Sequence, residues 1–111
     1  MKHVAKKRFG QNFLTDQSII TSLVDAISPQ PDDLMVEIGP GLGALTKPLL
    51  QKLKLLHVVE VDRDIITWMQ QAYAKHNISI HQSDALKFDF RALGTHLRVV
   101  GNLPYNISTP I

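Results

Sequence analysis

Three closely spaced glycines, at positions 39, 41 and 43, form what we call the glycine loop (residues 39–43). An apolar run precedes it and a helical pattern begins at Ala44, so the loop lies between a predicted strand and a predicted helix. Glycine lets the backbone turn tightly and approach a ligand closely, because no Cβ occupies that space. Gly39-x-Gly41-x-x-Ala44 also fits the dinucleotide fingerprint. The loop therefore predicts a nucleotide or nucleoside site without choosing the cofactor class.

Acidic residues end the next two predicted strands. Glu60 stands 21 positions after Gly39, close to the spacing of about 20 residues at which an acid accepts hydrogen bonds from ribose hydroxyls. Asp84 ends the third strand, where a carboxylate can accept from the exocyclic amine of a bound adenine, although a helix cap before Ala85 fits that position equally well. An adenine contact at Asp84 favours S-adenosylmethionine as the cofactor.

The fourth predicted strand ends in Asn102, Leu103, Pro104 and Tyr105, residues that suit methyl transfer to an aromatic amine. Such an amine is a poor nucleophile because its lone pair is delocalised into the ring. The amide oxygen of Asn102 and the main-chain carbonyl of Leu103, both accepting from the amine, would favour a pyramidal nitrogen with its lone pair aimed at a sulfonium methyl.

The next two residues complete this candidate catalytic turn. Pro104 rigidifies the turn that presents the carbonyl, and Tyr105 can stack on an extruded base. Catalysis would then rest on positioning and hydrogen bonding, without a charged general base. In isolation the four residues are better explained as a turn with a buried tyrosine. At the end of strand four of a nucleoside-binding sheet they favour catalysis.

These residues can meet only if the intervening elements place them together. Apolar runs predict strands and helical spacing predicts helices, in alternation along the chain. Strands separated by helices indicate parallel pairing with right-handed crossovers, in a doubly wound α/β sheet that binds ligands beyond the carboxyl ends of its strands. The predicted strands are 34–38, 55–61, 78–82 and 97–101. The first predicted helix is capped by Thr15 or Asp16 and ends before Pro29. The other two cover 44–53, with Pro48 in the early turns or at a kink, and 64–76.

Length and composition limit the function classes. A chain of 111 residues forms at most one domain, and 44% hydrophobic with 20% charged residues is ordinary for a globular protein. The sequence holds no cysteine, which excludes disulfides and thiolate sites and makes a cytoplasmic location the default. Its five histidines show no metal-ligand spacing, and no apolar stretch approaches a membrane span. We therefore expect neither a metal nor a membrane partner.

Positive charge is concentrated in the first 14 residues. They hold four cations and no acid, which leaves a net charge of −2 for the rest of a chain whose total is +2. Such a basic arm can contact phosphate. A solubilising terminus explains the charge equally well.

Several ordered motifs closely resemble the small-subunit rRNA adenine dimethyltransferases (the KsgA or RsmA type), a branch of the Rossmann-like methyltransferases. The resemblance spans nearly the whole chain and is more specific than any one glycine loop. It is carried by Lys-Arg-Phe-Gly-Gln-Asn-Phe-Leu at 7–14, Val-Glu-Ile-Gly-Pro-Gly at 36–41, Val-Glu-Val-Asp at 59–62, Asp-Ala at 84–85 and Gly-Asn-Leu-Pro-Tyr-Asn-Ile-Ser at 101–108.

The resemblance implies N6-dimethylation of two adjacent adenosines near the 3′ end of small-subunit rRNA, during ribosome biogenesis. It implies an arm (1–14) that contributes to the cofactor site, followed by the first part of an S-adenosylmethionine-binding domain (15–111), with strands in the order 3-2-1-4. Its implied residues are Asn12, Leu14, Gly39, Gly41, Glu60, Asp84 and Asn102 for the cofactor, with Asn102 also at the reacting amine, and Lys6, Lys7 and Arg8 for RNA in a pre-30S particle.

Length is where the chain departs from that family, whose members continue into further strands and a smaller helical domain. We expect these 111 residues to be the N-terminal part of such a protein. The family's chemistry would need the remainder, and weak cofactor binding is what this part would retain. Strand four would have an open edge, which favours self-pairing.

Three alternatives remain open at this stage. The sister family that dimethylates large-subunit rRNA and confers macrolide resistance shares the Gln-Asn-Phe motif, the glycine loop and an Asn-x-Pro-aromatic element. A nicotinamide-dependent oxidoreductase fits the loop and Glu60 but gives residues 102–105 no role. A non-catalytic ribosome-assembly factor would bind pre-30S particles without methylating them.

Overall fold

The computed structural model describes residues 17–41 and 43–101, which form one parallel sheet with helices between its strands. Among these residues, no helix combines the length and the apolar character needed to cross a membrane. The elements are α1 (Gln17–Ile27), β1 (Met35–Ile38), α2 (Thr46–Lys52), β2 (Leu56–Glu60), α3 (Arg63–Ala72), β3 (Ile78–Gln82), a 3₁₀ turn (Phe90–Leu93) and β4 (Arg98–Gly101).

The four strands are ordered β3-β2-β1-β4, and each neighbouring pair is parallel. Ile38 at the end of β1 stands opposite Val59 of β2 and Gly101 of β4. On the other side of β2, Glu60 stands opposite Gln82 of β3. The strands therefore end at nearly the same level, and the predicted fold class and strand order are confirmed.

Both faces of the sheet are covered, which explains why its central strands are almost continuously apolar. The helices α1, α2 and α3 cover one face, and the residues that follow β3 cover the other. The first core contains Ile20, Val24, Met35, Leu49, Leu56, Val58, Met69, Tyr73 and Val100; the second contains Val36, Val59, Leu97 and Val99, packed against Phe88, Phe90 and Leu93.

Two helices are shorter than predicted. The predicted helix over 64–76 ends at Ala72, because Tyr73 leaves helical geometry and turns its ring into the first core. The predicted helix over 44–53 begins only at Thr46, because Gly43 donates its N–H to the carbonyl of Pro40 in a preceding turn. Pro48 is the third residue of α2, where its missing N–H costs no helical hydrogen bond, as the prediction of an early-turn position required.

A side-chain cap begins helix α3. Asp62 begins α3 by accepting hydrogen bonds at Oδ1 from the N–H groups of Asp64 (2.8 Å) and Ile65 (3.3 Å). Thr15 and Asp16, predicted to cap α1, lie outside the described residues.

Arg98, the first residue of β4, ties the C-terminal end of α1 to the sheet. Its Nη2 donates to the carbonyl of Ile27, and its Nη1 donates to the carbonyl of Ser28 at 3.3 Å and to Asp33 Oδ2 at 2.8 Å. A guanidinium satisfies several acceptors at once because its donors form a fixed fork. Arg98 therefore satisfies a main-chain carbonyl at the helix end as well as pairing with an acid.

Replacing Arg98 with Met should lower the free energy of unfolding by about 1–3 kcal/mol, because hydrogen bonds from a charged donor to partly buried acceptors are lost together. Urea unfolding followed by circular dichroism measures the change. The control is Asp32→Asn, which breaks a strongly exposed ion pair with Lys54 and should leave the urea midpoint unchanged. Equal midpoints for the two variants would contradict the role given to Arg98.

Candidate functional site

The carboxyl ends of β1, β2 and β3 lie side by side, which brings three predicted site residues together. Gly39 donates its N–H to the carbonyl of Val59 at 3.0 Å, and Ser83 donates its N–H to the carbonyl of Glu60 at 3.0 Å. These bonds extend the sheet by one residue beyond β1 and β3. Gly39, Glu60 and Asp84 consequently follow neighbouring strands along one edge, within about two strand spacings, or roughly 10 Å.

The three glycines of the loop have left-handed backbone geometry, with φ of 63° at Gly39, 60° at Gly41 and 85° at Gly43. Among the described residues, a Cβ built on Gly41 would meet nothing within 4 Å. Glycine is thus favoured at 41 by its backbone angle, and the space beside it is open to a ligand.

Gly43 is required for a different reason from the predicted one. A Cβ there would lie 2.4 Å from the hydroxyl oxygen of Tyr73, so the space is taken by the protein itself. The expectation that glycine at position 43 makes room for a ligand is therefore wrong, because glycine there makes room for Tyr73. The sequence could not reveal the neighbour, because Tyr73 is 30 residues away and packs there only in the folded chain.

The Glu60 carboxylate is held in one orientation by the turn that follows it. Its Oε2 accepts hydrogen bonds from the N–H groups of Val61 and Asp62, both at 2.9 Å. Within the described parts of the chain, Oε1 accepts from no protein group and is not sealed from solvent. One oxygen is thus fixed by the backbone, while the other remains available as an acceptor at the sheet edge.

Asp84 is exposed and closes a turn. Its Oδ1 accepts from the N–H of Leu86 at 2.9 Å, and its carbonyl accepts from the N–H of Lys87 at 2.9 Å. No helix begins in the described residues that directly follow Asp84, so the alternative of a helix cap is replaced by a capped turn. The predicted adenine contact stays a prediction.

Two apolar residues beside these acids were missed in the sequence. Val61, directly after Glu60, is 64% exposed, and Leu86, two residues after Asp84, is 94% exposed. Large apolar side chains exposed next to polar groups are typical of ligand-binding surfaces. The sequence predicts Val61 as part of the strand over 55–61, but β2 ends at Glu60. Its place directly after a strand-end acid was the signal that could have marked Val61 as a site residue.

Glu37 is a second residue that the sequence reasoning did not select. It is fully buried in β1, where its Oε1 accepts from the Thr46 hydroxyl at 2.5 Å while Oε2 finds no partner among the described residues. The pKa of Glu37 is raised to about 7, mainly by burial and less by the charge of Glu60, against the opposing effect of the Thr46 hydrogen bond. A charged residue inside an apolar run was the available signal.

The Glu37–Thr46 contact connects both ends of the glycine loop, since Glu37 precedes the loop and Thr46 begins α2. Near neutral pH, a pKa of about 7 means that protonated and ionised Glu37 coexist. The base of the loop therefore contains a carboxyl group whose charge responds to its surroundings.

A histidine pair lies on the sheet face that is not covered by the three helices, near the turn that carries Asp84. His57 Nδ1 and His81 Nε2 are 3.1 Å apart and share an N–H···N hydrogen bond, and the His81 ring contacts Phe88. Burial and the neighbouring His81 lower the pKa of His57. In the described residues no group of three or more potential ligands could hold a metal ion.

A groove near the loop does not include the acidic edge. It has a volume of about 640 Å³ and lies between α1 and α2, with Gly43, Lys47 and Tyr73 among its lining residues. Glu60 and Asp84 are not part of its lining. The groove borders the side of the loop on which Gly43 is packed, away from the two acids that follow β2 and β3.

The remaining predicted site residues lie outside the described residues. β4 reaches the same edge at Gly101, the residue directly before the predicted catalytic turn. The residues without a described position are Lys6, Lys7, Arg8, Asn12, Leu14, Asn102, Leu103, Pro104 and Tyr105. Their roles stay predictions.

Comparison with known proteins identifies the family to which this chain is similar. The family model described as ribosomal RNA adenine dimethylase matches residues 2–111. The ribosomal RNA small subunit methyltransferase A of Methylobacillus flagellatus is 71% identical over all 111 residues, which cover 44% of its length. The chain thus spans less than half of that relative.

Solved structures share the fold. The crystal structure of the 23S rRNA methyltransferase ErmE superposes with a TM-score of 0.74 at 26% identity, over 83% of this chain and 37% of that one. A dimethyladenosine transferase from Plasmodium falciparum superposes with a TM-score of 0.68 at 25% identity, over 80% of this chain and 32% of that one.

The variant Glu37→Gln should remove a pH dependence of stability worth about 3 kcal/mol, the free-energy equivalent of raising a pKa from 4.5 to about 7. Folded Glu37 keeps its proton to about pH 7, whereas the unfolded chain loses it near 4.5. Its contribution is therefore complete below pH 4.5 and is lost as the pH rises through 7.

Urea unfolding at several pH values between 4.5 and 8 measures this difference. The wild type should lose more stability than Glu37→Gln as the pH rises, whatever the offset between them at one pH. The exposed residue Asp89 supplies the control, since Asp89→Asn should follow the wild-type curve. Parallel curves for the wild type and Glu37→Gln would contradict the buried, protonated state.

Proposed function

Because the chain belongs to the ribosomal RNA adenine dimethylase family, we propose that it binds S-adenosylmethionine and directs methyl transfer to adenine N6 in small-subunit rRNA. The observation that carries the proposal is the oriented Glu60 carboxylate, on the edge shared with Gly39 and Asp84. Two adjacent adenosines near the 3′ end are the proposed targets. This chain spans less than half the length of the Methylobacillus flagellatus relative, so the whole activity is proposed for a protein of that full length.

The described residues fit the adenosine half of the cofactor. Glu60 Oε1 can accept from ribose hydroxyls, because Oε2 is already held by two backbone N–H groups. The exposed side chains of Val61 and Leu86 offer apolar surface for a base, and Asp84 offers a carboxylate for its exocyclic amine. Along one edge, the chain thus offers an acceptor for the ribose, apolar surface for the base and a second acceptor for the amine of the base.

The glycine loop fits the remainder of the cofactor. The open space beside Gly41 lets a ligand approach the backbone closely. Below the loop, Glu37 Oε2 has no partner among the described residues, and a positively charged ligand bound nearby would favour the ionised form of Glu37. S-adenosylmethionine carries an ammonium and a sulfonium group, and when bound it supplies an electrophilic methyl group.

The chain's part in the transfer is to bind and orient the nucleophile. Asn102 would accept from the adenine amine through its side-chain oxygen, and Leu103 through its carbonyl. Pro104 would hold that turn, and Tyr105 would stack on the extruded base. In support of this role, β4 ends at Gly101 beside the end of β1, and residues 102–105 come next in the sequence. The chemistry needs positioning and needs no charged base.

Small-subunit rRNA is the proposed substrate because the relative at 71% identity is named for the small subunit. Lys6, Lys7 and Arg8 are proposed to contact its phosphates in a pre-30S particle, in the cytoplasm. Large-subunit rRNA is a second candidate, favoured by the likeness to the 23S rRNA methyltransferase ErmE.

Cofactor binding is tested by isothermal titration of the chain with S-adenosylhomocysteine. Glu60→Gln should weaken binding at least about tenfold, because a charged acceptor for the ribose hydroxyls becomes a neutral amide. Asp64→Asn, in the exposed first turn of α3, is the matched control and should bind as the wild type does. Equal affinity for all three proteins would exclude Glu60 from the site, and a preference for NADH would favour the oxidoreductase.

Substrate choice is tested with the complete reading frame that encodes the chain. Immature 30S particles and protein-free 23S RNA are incubated with the cofactor, and methylated adenines are located by nucleoside mass spectrometry. We expect dimethyladenosine in small-subunit rRNA and a loss of at least about 100-fold for Asn102→Ala, since the amine loses its positioning acceptor. Methylation of 23S RNA alone would favour the second candidate, and unchanged methylation by Asn102→Ala would remove the catalytic role of that residue.

A further inference from the structure

The glycine loop is braced from the protein interior by one aromatic side chain. Tyr73 is only 8% exposed, and its hydroxyl lies 3.4 Å from the carbonyl oxygen of Gly43, to which it donates. The phenol also fills the space beside the Gly43 Cα, since a Cβ there would be 2.4 Å from Oη and 3.3 Å from Cζ. The loop therefore rests on the tip of the Tyr73 ring.

The ring of Tyr73 is itself held by α3. Its main-chain N–H donates to the carbonyl of Met69 at 2.9 Å and closes the last turn of the helix. Trp68 and His76 contact the ring edge-on, with centroids 5.9 and 5.7 Å away. Because these contacts fix the Tyr73 ring and the interior is closely packed, the position of the ring determines the position of Gly43.

The Gly43 carbonyl is a junction between the loop and α2. It accepts from the N–H of Lys47 at 3.1 Å in the first turn of the helix, as well as from Tyr73. The Gly43 N–H, in turn, donates to the carbonyl of Pro40 at 3.0 Å. A displacement of Gly43 would therefore shift the loop and the start of α2 together.

The two sides of the loop differ in what surrounds them. Gly43 is packed against Tyr73, whereas a Cβ on Gly41 would have no atom of the described chain within 4 Å. The packed side fixes the backbone and the open side is left for a ligand. A ligand on the open side would feel any loss of support on the packed side without touching Tyr73.

We propose that Tyr73 is a positioning residue that holds the glycine loop in its ligand-binding shape through Gly43 and so sets the affinity for S-adenosylmethionine without contacting it. This inference rests on the proposed function, because it takes the open side of the loop to be the cofactor side. It adds a determinant of that site from the residue that directly follows α3.

The test measures the binding of S-adenosylhomocysteine to the chain by isothermal titration, beside the thermal midpoint of each protein. Tyr73→Phe removes only the hydroxyl and should weaken binding about threefold to tenfold, the range that one lost hydrogen bond gives. Its thermal midpoint should change little, because the ring remains in the core. Thr67→Ala, which removes an exposed hydroxyl from the same helix, is the control and should bind as the wild type does.

A double-mutant cycle separates positioning from general packing. Gly43→Ala should weaken binding strongly, because its Cβ meets the hydroxyl of Tyr73 and its φ of 85° becomes strained. In the Tyr73→Phe background the same substitution should cost less, since the closest atom is gone. Additive losses, or a Tyr73→Phe protein with lower thermal stability and wild-type affinity, would overturn the proposal.

Failure of the proposed function has a different signature. If the folded wild type gives no binding heat, cofactor binding by this chain is excluded, and amide hydrogen exchange then tests the brace alone. Peptides that cover residues 39–45 should exchange faster in Tyr73→Phe than in the wild type. Equal exchange would show that Tyr73 does not hold the loop.

Discussion

Parallel pairing of four strands is the constraint on which the rest of this molecule depends. Parallel neighbours cannot be joined by a tight turn, so each connection carries the chain back across a face of the sheet. All strands therefore finish at the same edge, and the residue after each strand is delivered there. Gly39, Glu60 and Asp84 become neighbours for this reason, although 45 positions separate the first from the last.

The edge rests on a layer of buried groups directly below the glycine loop. Glu37 and Thr46 connect β1 to α2 across the base of the loop, and Tyr73, directly after α3, supports Gly43. A buried carboxyl group with a pKa near 7 is unfavourable for the fold at neutral pH. Strongly perturbed groups of this kind are concentrated at functional sites, where their electrostatics serve binding. The position of Glu37 beneath an open loop fits that pattern.

The proposed chemistry divides between two sets of residues. The described edge offers an oriented acceptor at Glu60, apolar surface at Val61 and Leu86, and a backbone that can be approached at Gly41. Those features suit the adenosine and the charged groups of S-adenosylmethionine. The proposed substrate side depends on residues 102–105, which follow Gly101, the last residue of β4, in the sequence. Family membership joins the two sets, because the match covers both.

Much of this protein could be read from its sequence. Hydrophobic periodicity predicted each strand and helix to within a few residues, with the 78–82 strand matched in full, because apolar spacing follows directly from which side of an element is buried. The resemblance supplied the family and the strand order, since the motifs at 36–41 and 59–62 are specific in combination. The glycines and Glu60 were selected because strand ends of parallel sheets converge.

Only the tertiary structure decided what lies beneath and beside those strand ends. Helix α3 stops at Ala72 because Tyr73 is drawn into the core, a consequence of packing that helical spacing does not contain. Gly43 owes its identity to Tyr73, and Glu37 owes its raised pKa to complete burial beside Glu60. Sequence patterns record which residues are apolar or polar. They do not record which atoms from distant segments come into contact, and those contacts determine the shape of the loop and the charge below it.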